Sequence, residues 1–290
     1  MLLDTKFLDL KFESNNRVLK IGKGKPYRLL SIEGIESGEY EIYTTDNVMG
    51  DGITVTNRRI KHRSIILEVE YTGNNQELER PKLANFFNLY NSGKLIINYQ
   101  GTERLINYIV ESYKAKSKKL YEPFKFLVAL ICPNPFFQNI YETKEEVAIW
   151  RGAFEFPLEL SEEGIEIGFR EPSLIVNVYN AGDVACGMKI QFKALATVVN
   201  PSLFNVNNRE YFKINKTMEA GEVITVTTHF QNKRVELNKN GVVSNAFNWI
   251  DLNSTFLQLE PGDNLLRYDA DNGIDNLEVS IYYTPQYLGV

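Results

Sequence analysis

Few side chains in this sequence could act as a nucleophile, a general base or a metal ligand. Its two histidines are His62 and His229, and its two cysteines are Cys132 and Cys186. A serine nucleophile needs a histidine base, and no serine lies in the Gly-x-Ser-x-Gly turn that exposes such a nucleophile. Neither histidine has a second histidine or a cysteine at zinc-binding spacing. We therefore expect no catalytic residue, no metal ion, no cofactor and no enzymatic activity.

The two cysteines are predicted to be structural. They are far apart in the sequence and lie among apolar or small residues. A free cysteine in such surroundings behaves as a small buried hydrophobic residue. The pattern favours two buried thiols in a protein that folds in a reducing compartment.

Two short segments look like ligand-binding loops, but neither has the required spacing. Gly22–Lys25 contains glycine and lysine, yet Pro26 follows at once and the full phosphate-loop pattern is missing. Asp269–Asp275 is acidic like a calcium loop, but its glycine is fifth rather than sixth and Ser280 holds the twelfth place. We interpret both segments as turns, with Asn272-Gly273 as the turn of a hairpin.

One basic cluster stands out in an acidic chain. Residues 58–63 read Arg-Arg-Ile-Lys-His-Arg, whereas the whole sequence has a net charge of −5. That net charge argues against a protein that coats nucleic acid. The cluster could contact phosphates, acidic groups of a neighbouring subunit, or solvent at a strand edge. We take Arg58, Arg59 and Arg63 as candidate subunit-interface residues.

The composition indicates a folded protein with many strands and turns. Hydrophobic residues make up 43% and charged residues 24% of the 290 residues, which excludes a disordered chain. No apolar run approaches the ~18 residues of a membrane span, and we expect no signal peptide. The content of 16 Tyr, 17 Phe, 10 Pro and 19 Gly is typical of a β-rich protein.

The first half is predicted to combine strands with one helix. Residues 65–71 are predicted to form a strand, because apolar and polar side chains alternate over its second part. Residues 94–99 and 104–110 are predicted to form a hairpin around a glycine-containing loop. A helix is expected from about Glu77 to Ser92, ended by Gly93. Its buried stripe is expected to contain Leu83, Phe86, Phe87 and Tyr90.

The second half is predicted to be a β-sandwich. It has no convincing helix, and short strands separated by turn residues recur along it. The length suggests two domains. We place an N-terminal domain at residues 1–140, a linker at 141–149 and the sandwich at 150–290.

Several pieces of both halves, in this order, resemble the phage distal tail proteins (Dit), the siphovirus tail-component family. In the first half they are Gly50-Asp51-Gly52, Arg58-Arg59, the strand from Ser64 to Val69, Arg80-Pro81, Phe86-Phe87 and Asn134-Pro135-Phe136-Phe137. In the second half they are Pro172-Ser173-Leu174, Asn180-Ala181-Gly182-Asp183, Met218 to Glu222, Asp251 to Phe256, Leu259 to Asn264, Val279 to Tyr283 and Tyr287 to Val290.

The resemblance implies a mainly β protein that acts by assembly. It implies an N-terminal β-rich domain with one helix that forms a ring, commonly a homo-hexamer, at the tip of the tail tube. A galectin-like or carbohydrate-module-like β-sandwich, of jelly-roll type, would follow. Its partners would be the tail tube protein, the tail-associated tip protein and, in some phages, receptor-binding proteins. Phage DNA would pass through the lumen without specific binding, and no membrane would be involved. The protein would be assembled in the host bacterial cytoplasm and reside at the virion tail tip of a phage or prophage-derived tail.

A carbohydrate-binding module that contacts the host cell wall is the alternative. Aromatic side chains on one face of a sandwich could stack on sugar rings. Trp150 and Trp249 are the two tryptophans of the sequence, and we take Trp249 as the candidate sugar contact. A wall-degrading hydrolase is disfavoured because the sequence has no nucleophile–base pair or metal-ligand pattern.

Overall fold

The structure, a computed structural model, describes residues 5–36, 38–47, 49–116, 123–147, 150–152, 168–170 and 175–290. The first part of the described chain contains β1 Leu8–Ser14, β2 Arg17–Ile21, β3 Tyr27–Glu33, β4 Tyr40–Asp46, β5 Ile53–Ile60, β6 Arg63–Tyr71, α1 Gln76–Phe86, β7 Ser92–Tyr99, β8 Thr102–Ala115, β9 Phe124–Cys132 and β10 Phe137–Gln138. No helix in these ranges combines the length and the apolar character needed to span a membrane.

The rest of the described chain is formed by strands and short 3-10 helices. The strands are β11 Thr143–Glu146, β12 Trp150–Gly152, β13 Gly168–Arg170, β14 Ile175–Asn180, β15 Cys186–Ala194, β16 Val198–Asn205, β17 Tyr211–Lys213, β18 Thr217–Met218, β19 Val223–Thr227, β20 Arg234–Lys239, β21 Val242–Asn245, β22 Gln258–Leu259, β23 Gly262–Asn272, β24 Leu277–Tyr283 and β25 Gln286–Tyr287. The 3-10 helices of the whole described chain are Thr5–Phe7, Phe247–Trp249 and Ile274–Asn276.

The chain divides into two compact units. Unit 1 comprises Met1–Ile140 and Gln286–Val290, and unit 2 comprises Tyr141–Pro285. This division differs from the predicted one in two places. Strand β11 lies inside the predicted linker of residues 141–149 but pairs with β24, and the last five residues belong to unit 1.

Unit 1 is built on an antiparallel sheet whose strand order is β2-β1-β7-β8-β9-β6-β3, joined by β10 and β25. Side chains alternate between the faces of a strand, so one face can be fully apolar. Leu67, Val69 and Tyr71 of β6 lie on one face and are all buried, as the alternation in the sequence predicts. The predicted hairpin is also present: β7 and β8 pair with each other. The turn residues between them, Gln100 and Gly101, both have positive φ.

Helix α1 covers the apolar side of this sheet but is shorter than predicted. It ends at Phe86, because the side-chain amide of Asn91 donates a hydrogen bond to the Phe86 carbonyl oxygen at 3.1 Å. Such a contact satisfies an acceptor that has no partner inside the helix. Tyr90, predicted to be in the buried stripe, is therefore 90% exposed, and Gly93 lies in β7 instead of ending the helix.

Unit 2 is a β-sandwich. One sheet has the order β11-β24-β15-β19-β20-β21 with β22 paired to β15, and the other has the order β14-β23-β16-β17 with β18 paired to β16. Both sheets contribute to one core: Ile190 and Phe192 come from the first, and Leu203 and Tyr268 from the second. The mainly β fold, with one α-helix among the described residues and a C-terminal sandwich, is confirmed.

The prediction of a hairpin around Asn272-Gly273 is wrong. Strand β23 pairs with β14 and β16, whereas β24 pairs with β11 and β15 in the other sheet. Gly273 has a φ of +74°, and a Cβ at this position would lie 2.2 Å from the Thr197 carbonyl oxygen. The glycine therefore turns the chain from one sheet to the other instead of closing a hairpin.

Candidate assembly surface

Strands β4 and β5 form a two-stranded hairpin outside the large sheet of unit 1. They pair with each other, from Tyr40 opposite Ile60 at the base to Asp46 opposite Ile53 near the tip. Exposed large apolar side chains of the hairpin are Tyr40, Ile42, Tyr43, Met49, Ile53 and Val55. An isolated two-stranded hairpin is at best marginally stable in water, and clustered exposed apolar groups indicate an interaction surface.

Arg58 and Arg59 lie on the exposed strand β5. Arg59 pairs with Glu41 at 2.6 Å, and its guanidinium carbon lies 5.3 Å from the centre of the Tyr43 ring. Hydrogen bonds from Tyr43 and Arg59 lower the pKa of Glu41 below its usual value. Both arginines are exposed, so they are accessible for contacts with another molecule, and the exposed ion pair itself contributes little to stability.

Arg63 has a different environment from the other two arginines. It is 1% exposed, and its guanidinium donates hydrogen bonds to the carbonyl oxygens of Gly34 at 2.7 Å, Pro135 at 2.7 Å and Leu288 at 2.5 Å. The ring of Phe137 lies 4.7 Å from its guanidinium carbon. Burial lowers the pKa of Arg63, and the carbonyl dipoles compensate for the lost hydration. The prediction that Arg63 is a subunit-interface residue is therefore corrected, because its hydrogen-bond donors bind carbonyl oxygens inside unit 1.

The Arg63 contacts hold the base of the hairpin in place. Gly34, which precedes β4, has a φ of +86°, and a Cβ there would lie 1.9 Å from the Ser64 carbonyl oxygen. The backbone N–H of Lys61 donates to the Glu39 carbonyl oxygen at 2.9 Å, which closes the base below the first strand pair. The basic cluster therefore contains two exposed arginines on the hairpin and one buried arginine that orients it.

A groove between β2 and α1 is a feature of unit 1 that the sequence analysis missed. Its volume is about 860 Å³, and we call it the β2–α1 groove. It is lined by Arg17, Val18, Leu19, Lys20, Lys25, Pro26, Tyr27, Glu79, Lys82, Leu83, Asn85 and Phe86. Glu79 accepts hydrogen bonds from the Tyr27 hydroxyl at 2.6 Å and from Lys82 Nζ at 2.7 Å. The turn at Gly22–Lys25 contributes Lys25, which is the only signal in the sequence for this site.

The described residues contain no group of three or more histidine, cysteine or acidic side chains placed to hold a metal ion. In the calcium-like segment, Asp271 accepts hydrogen bonds from Lys213 and Asn200. Cys132 and Cys186 are free and buried, as predicted, and burial raises the pKa of each thiol to about 12. Burial also lowers the pKa of His229.

Trp249, the candidate sugar contact, lies in a 3-10 helix of unit 2. It is half-buried against the sandwich core, and Lys216 Nζ lies 5.2 Å from the centre of its ring. Nearby in the sequence, Phe247 is 49% exposed and stacks on Phe256 with ring centres 6.1 Å apart. The side chain of Trp150 lies outside the described residues.

Comparisons with known proteins give one family match and several structural matches. Residues 181–287 match the family described as siphovirus-type tail component, C-terminal domain. Comparison with curated proteins gives no match. The crystal structure of SPP1 Dit (gp 19.1), described as a paradigm of hub adsorption apparatus in phages that infect Gram-positive bacteria, superposes with a TM-score of 0.69 at 13% identity. That superposition covers 96% of this chain and 99% of the SPP1 protein.

Baseplate structures of phage P2 in its activated conformation are also similar. The forms with calcium and with strontium give TM-scores of 0.53 and 0.52, each at 11% identity and covering 98% of this chain and 99% of the matched chain. At these identities the superpositions show a shared fold, while the family match shows that residues 181–287 are similar to a tail-component C-terminal domain. The predicted resemblance is therefore confirmed: this chain has the fold of a phage distal tail protein, and its residues 181–287 match the C-terminal domain of the siphovirus-type tail components.

Proposed function

We propose that this chain forms a homo-hexameric ring at the tip of a phage or prophage-derived tail. The ring would be a hub that joins the tail tube protein to the tail-associated tip protein and, in some phages, to receptor-binding proteins. Phage DNA would pass through its lumen without specific binding. The observation that carries this proposal is the superposition over 96% of the chain on a hub protein of the same fold.

The β4–β5 hairpin, which pairs with no other strand in the described part of unit 1, also supports an assembly role. A ring needs two different surfaces on each copy, one of which binds the other on the next copy. The exposed apolar side chains of β4 and β5, together with Arg58 and Arg59, provide one such surface.

The test is the mass of the protein in solution. A hexamer of 33.3 kDa chains has a mass of about 200 kDa. We expect this mass by light scattering after size exclusion at several protein concentrations, and end-on rings in negative-stain images. A monomer at every concentration, both alone and with the tail tube protein present, would contradict the ring.

Carbohydrate binding by unit 2 is the second candidate function. The partly exposed Phe247, which stacks on Phe256 and lies two residues before Trp249 in the same 3-10 helix, is the observation in its favour, because sugar rings stack on exposed aromatic faces. The experiment is a pull-down with purified cell-wall polysaccharide. Trp249→Ala and Phe247→Ala are expected to lose binding, and Tyr141→Ala, an exposed aromatic residue elsewhere in unit 2, is the control. Absence of binding by the unchanged protein would remove this function.

A further inference from the structure

We propose that the β4–β5 hairpin of one copy binds in the β2–α1 groove of the next copy. This inference rests on the proposed ring and names the surfaces that would close it. The hairpin and the groove are different parts of unit 1, so each copy would provide one of each. A contact of this head-to-tail kind joins identical chains into a closed ring when the rotation between neighbouring copies is one sixth of a turn.

The distal part of the hairpin is acidic and apolar. Between Thr44 and Val55 the charged residues are Asp46 and Asp51, and the segment contains no lysine or arginine. Neither carboxylate forms an ion pair within the described residues. Met49 at the tip is fully exposed, and Ile53 is 59% exposed. This part of the hairpin therefore presents apolar area and uncompensated negative charge.

The β2–α1 groove has the complementary character. Its charged side chains are Arg17, Lys20, Lys25, Lys82 and Glu79. Because Glu79 is already bound by Lys82 and Tyr27, the lining retains an excess of positive charge. Val18, Leu19 and Phe86 add apolar area to the same lining. Charge complementarity of this kind orients partners and excludes wrong ones.

The geometry of unit 1 leaves both surfaces open in a single copy. No residue of β4 or β5 lines the groove. Among the described residues, β2 pairs only with β1, so its outer edge has free backbone groups. The seven residues of β4 span about 23 Å between the base and the distal end of the hairpin.

Disulfide cross-linking tests the contact directly. A chain with Met49→Cys and Lys20→Cys places one thiol at the hairpin tip and one in the groove. Under mild oxidation we expect covalent dimers and higher oligomers, at least about ten-fold more abundant than for the control pair Met49→Cys with Lys114→Cys, where the second thiol lies outside the groove. The native Cys132 and Cys186 are buried and do not interfere.

Charge reversal tests the same contact without oxidation. Asp46→Lys with Asp51→Lys, and Lys20→Glu with Lys25→Glu, are each expected to weaken assembly at least about ten-fold, because like charges then face each other. The chain carrying all four changes is expected to recover the ring. Lys114→Glu with Lys233→Glu reverses two charges outside both surfaces and is expected to leave assembly unchanged. Thermal unfolding of each variant checks that it is folded.

The outcomes separate this inference from the proposed function. A native protein that stays monomeric contradicts the ring and the hairpin contact together. A native protein that forms rings, but whose hairpin–groove thiol pair cross-links no better than the control pair, contradicts the hairpin contact alone. Rings that persist in both charge-reversed variants also contradict it, and would assign the groove to another tail protein.

Discussion

At the residue scale, one buried guanidinium connects three separate parts of unit 1. Arg63 donates to carbonyl oxygens that are 29, 72 and 225 positions away in the sequence. A buried charge is stable only if its hydrogen-bonding capacity is used, and here backbone carbonyls take the place of a carboxylate. The result is a fixed junction at the base of the hairpin.

Arg63→Ala is expected to lower the free energy of unfolding of unit 1 by about 3–5 kcal/mol, because three carbonyls lose a charged donor. Arg63→Lys is expected to remain destabilised, because one ammonium group cannot replace the planar guanidinium. Urea unfolding followed by circular dichroism measures the change, and hydrogen exchange locates it in unit 1. Arg58→Ala, on the exposed hairpin, is the matched control and should stay within about 0.5 kcal/mol. Superposable unfolding curves for Arg63→Ala and the unchanged protein would contradict the prediction.

In unit 2, the buried carboxylate of Glu222 predicts that the stability of this unit depends on pH. Burial alone would raise the pKa of Glu222, but hydrogen bonds from Lys216, the Glu219 backbone N–H and Lys239 bring it below its usual value. A carboxyl group with a lower pKa in the folded state stabilises the fold above its unfolded pKa of about 4.3. This stability is lost as the pH falls through the folded pKa.

Glu222→Gln is therefore expected to lower the free energy of unfolding of unit 2 by about 2 kcal/mol at pH 7. Stability measured from pH 7 down to pH 3 should then depend less on pH than in the unchanged protein. Glu260→Gln, an exposed position of unit 2, provides the comparison. An equally steep pH dependence in the Glu222 variant would show that other carboxyl groups are responsible.

At the element scale, the β4–β5 hairpin is separable from the sheet that carries the core. It pairs with no other strand in the described chain, and its side chains are largely exposed. The large sheet and α1 bury the apolar side chains of unit 1 without it. Folding and assembly should therefore respond differently to its removal.

Replacing residues 41–59 by Asn-Gly tests this separation. Tyr40 and Ile60 are directly paired, so a two-residue turn can connect them. We expect the melting temperature to change by no more than about 4 °C, since little core area is lost, and the oligomer to dissociate to monomers. Calorimetry and light scattering measure the two properties. A variant that unfolds would show that the hairpin stabilises unit 1, and a variant that still forms rings would remove it from the interface.

At the scale of the whole molecule, unit 1 is formed by two segments that are distant in the sequence. Residues 286–290 belong to it, although the 145 residues before them form unit 2. Tyr287 pairs with Phe137, and the guanidinium carbon of Arg104 lies 3.6 Å from the centre of its ring. Val290 packs against the core cluster of unit 1. The stability of unit 1 thus depends on the end of the described chain.

Deleting residues 286–290 is expected to lower the free energy of unfolding of unit 1 by about 2–4 kcal/mol, because Arg63 loses one acceptor and buried apolar area is exposed. Hydrogen exchange should become faster in β6, β8 and β10, while exchange in unit 2 stays the same. Leu252→Ala, at a fully exposed site in unit 2, is the control. Unchanged exchange in unit 1 would show that the segment contributes no stability.

The sequence by itself determined the mainly β class, the apolar face of β6, the β7–β8 hairpin and the two buried thiols. These follow from alternation, turn residues and composition, which are properties of neighbouring residues. The resemblance to the distal tail proteins could also be read from short pieces in a shared order. The sequence did not determine the end of α1, because the capping side chain of Asn91 lies beyond the predicted stripe.

Only the tertiary structure decided how distant segments meet. Arg58, Arg59 and Arg63 are neighbours in the sequence, yet the fold exposes two of them and buries the third among carbonyls from other parts of the chain. The β2–α1 groove likewise exists only because an edge strand and a helix from separate segments line it together. Burial, hydrogen-bond partners and grooves depend on contacts between residues far apart in sequence, and local patterns carry no information about those contacts.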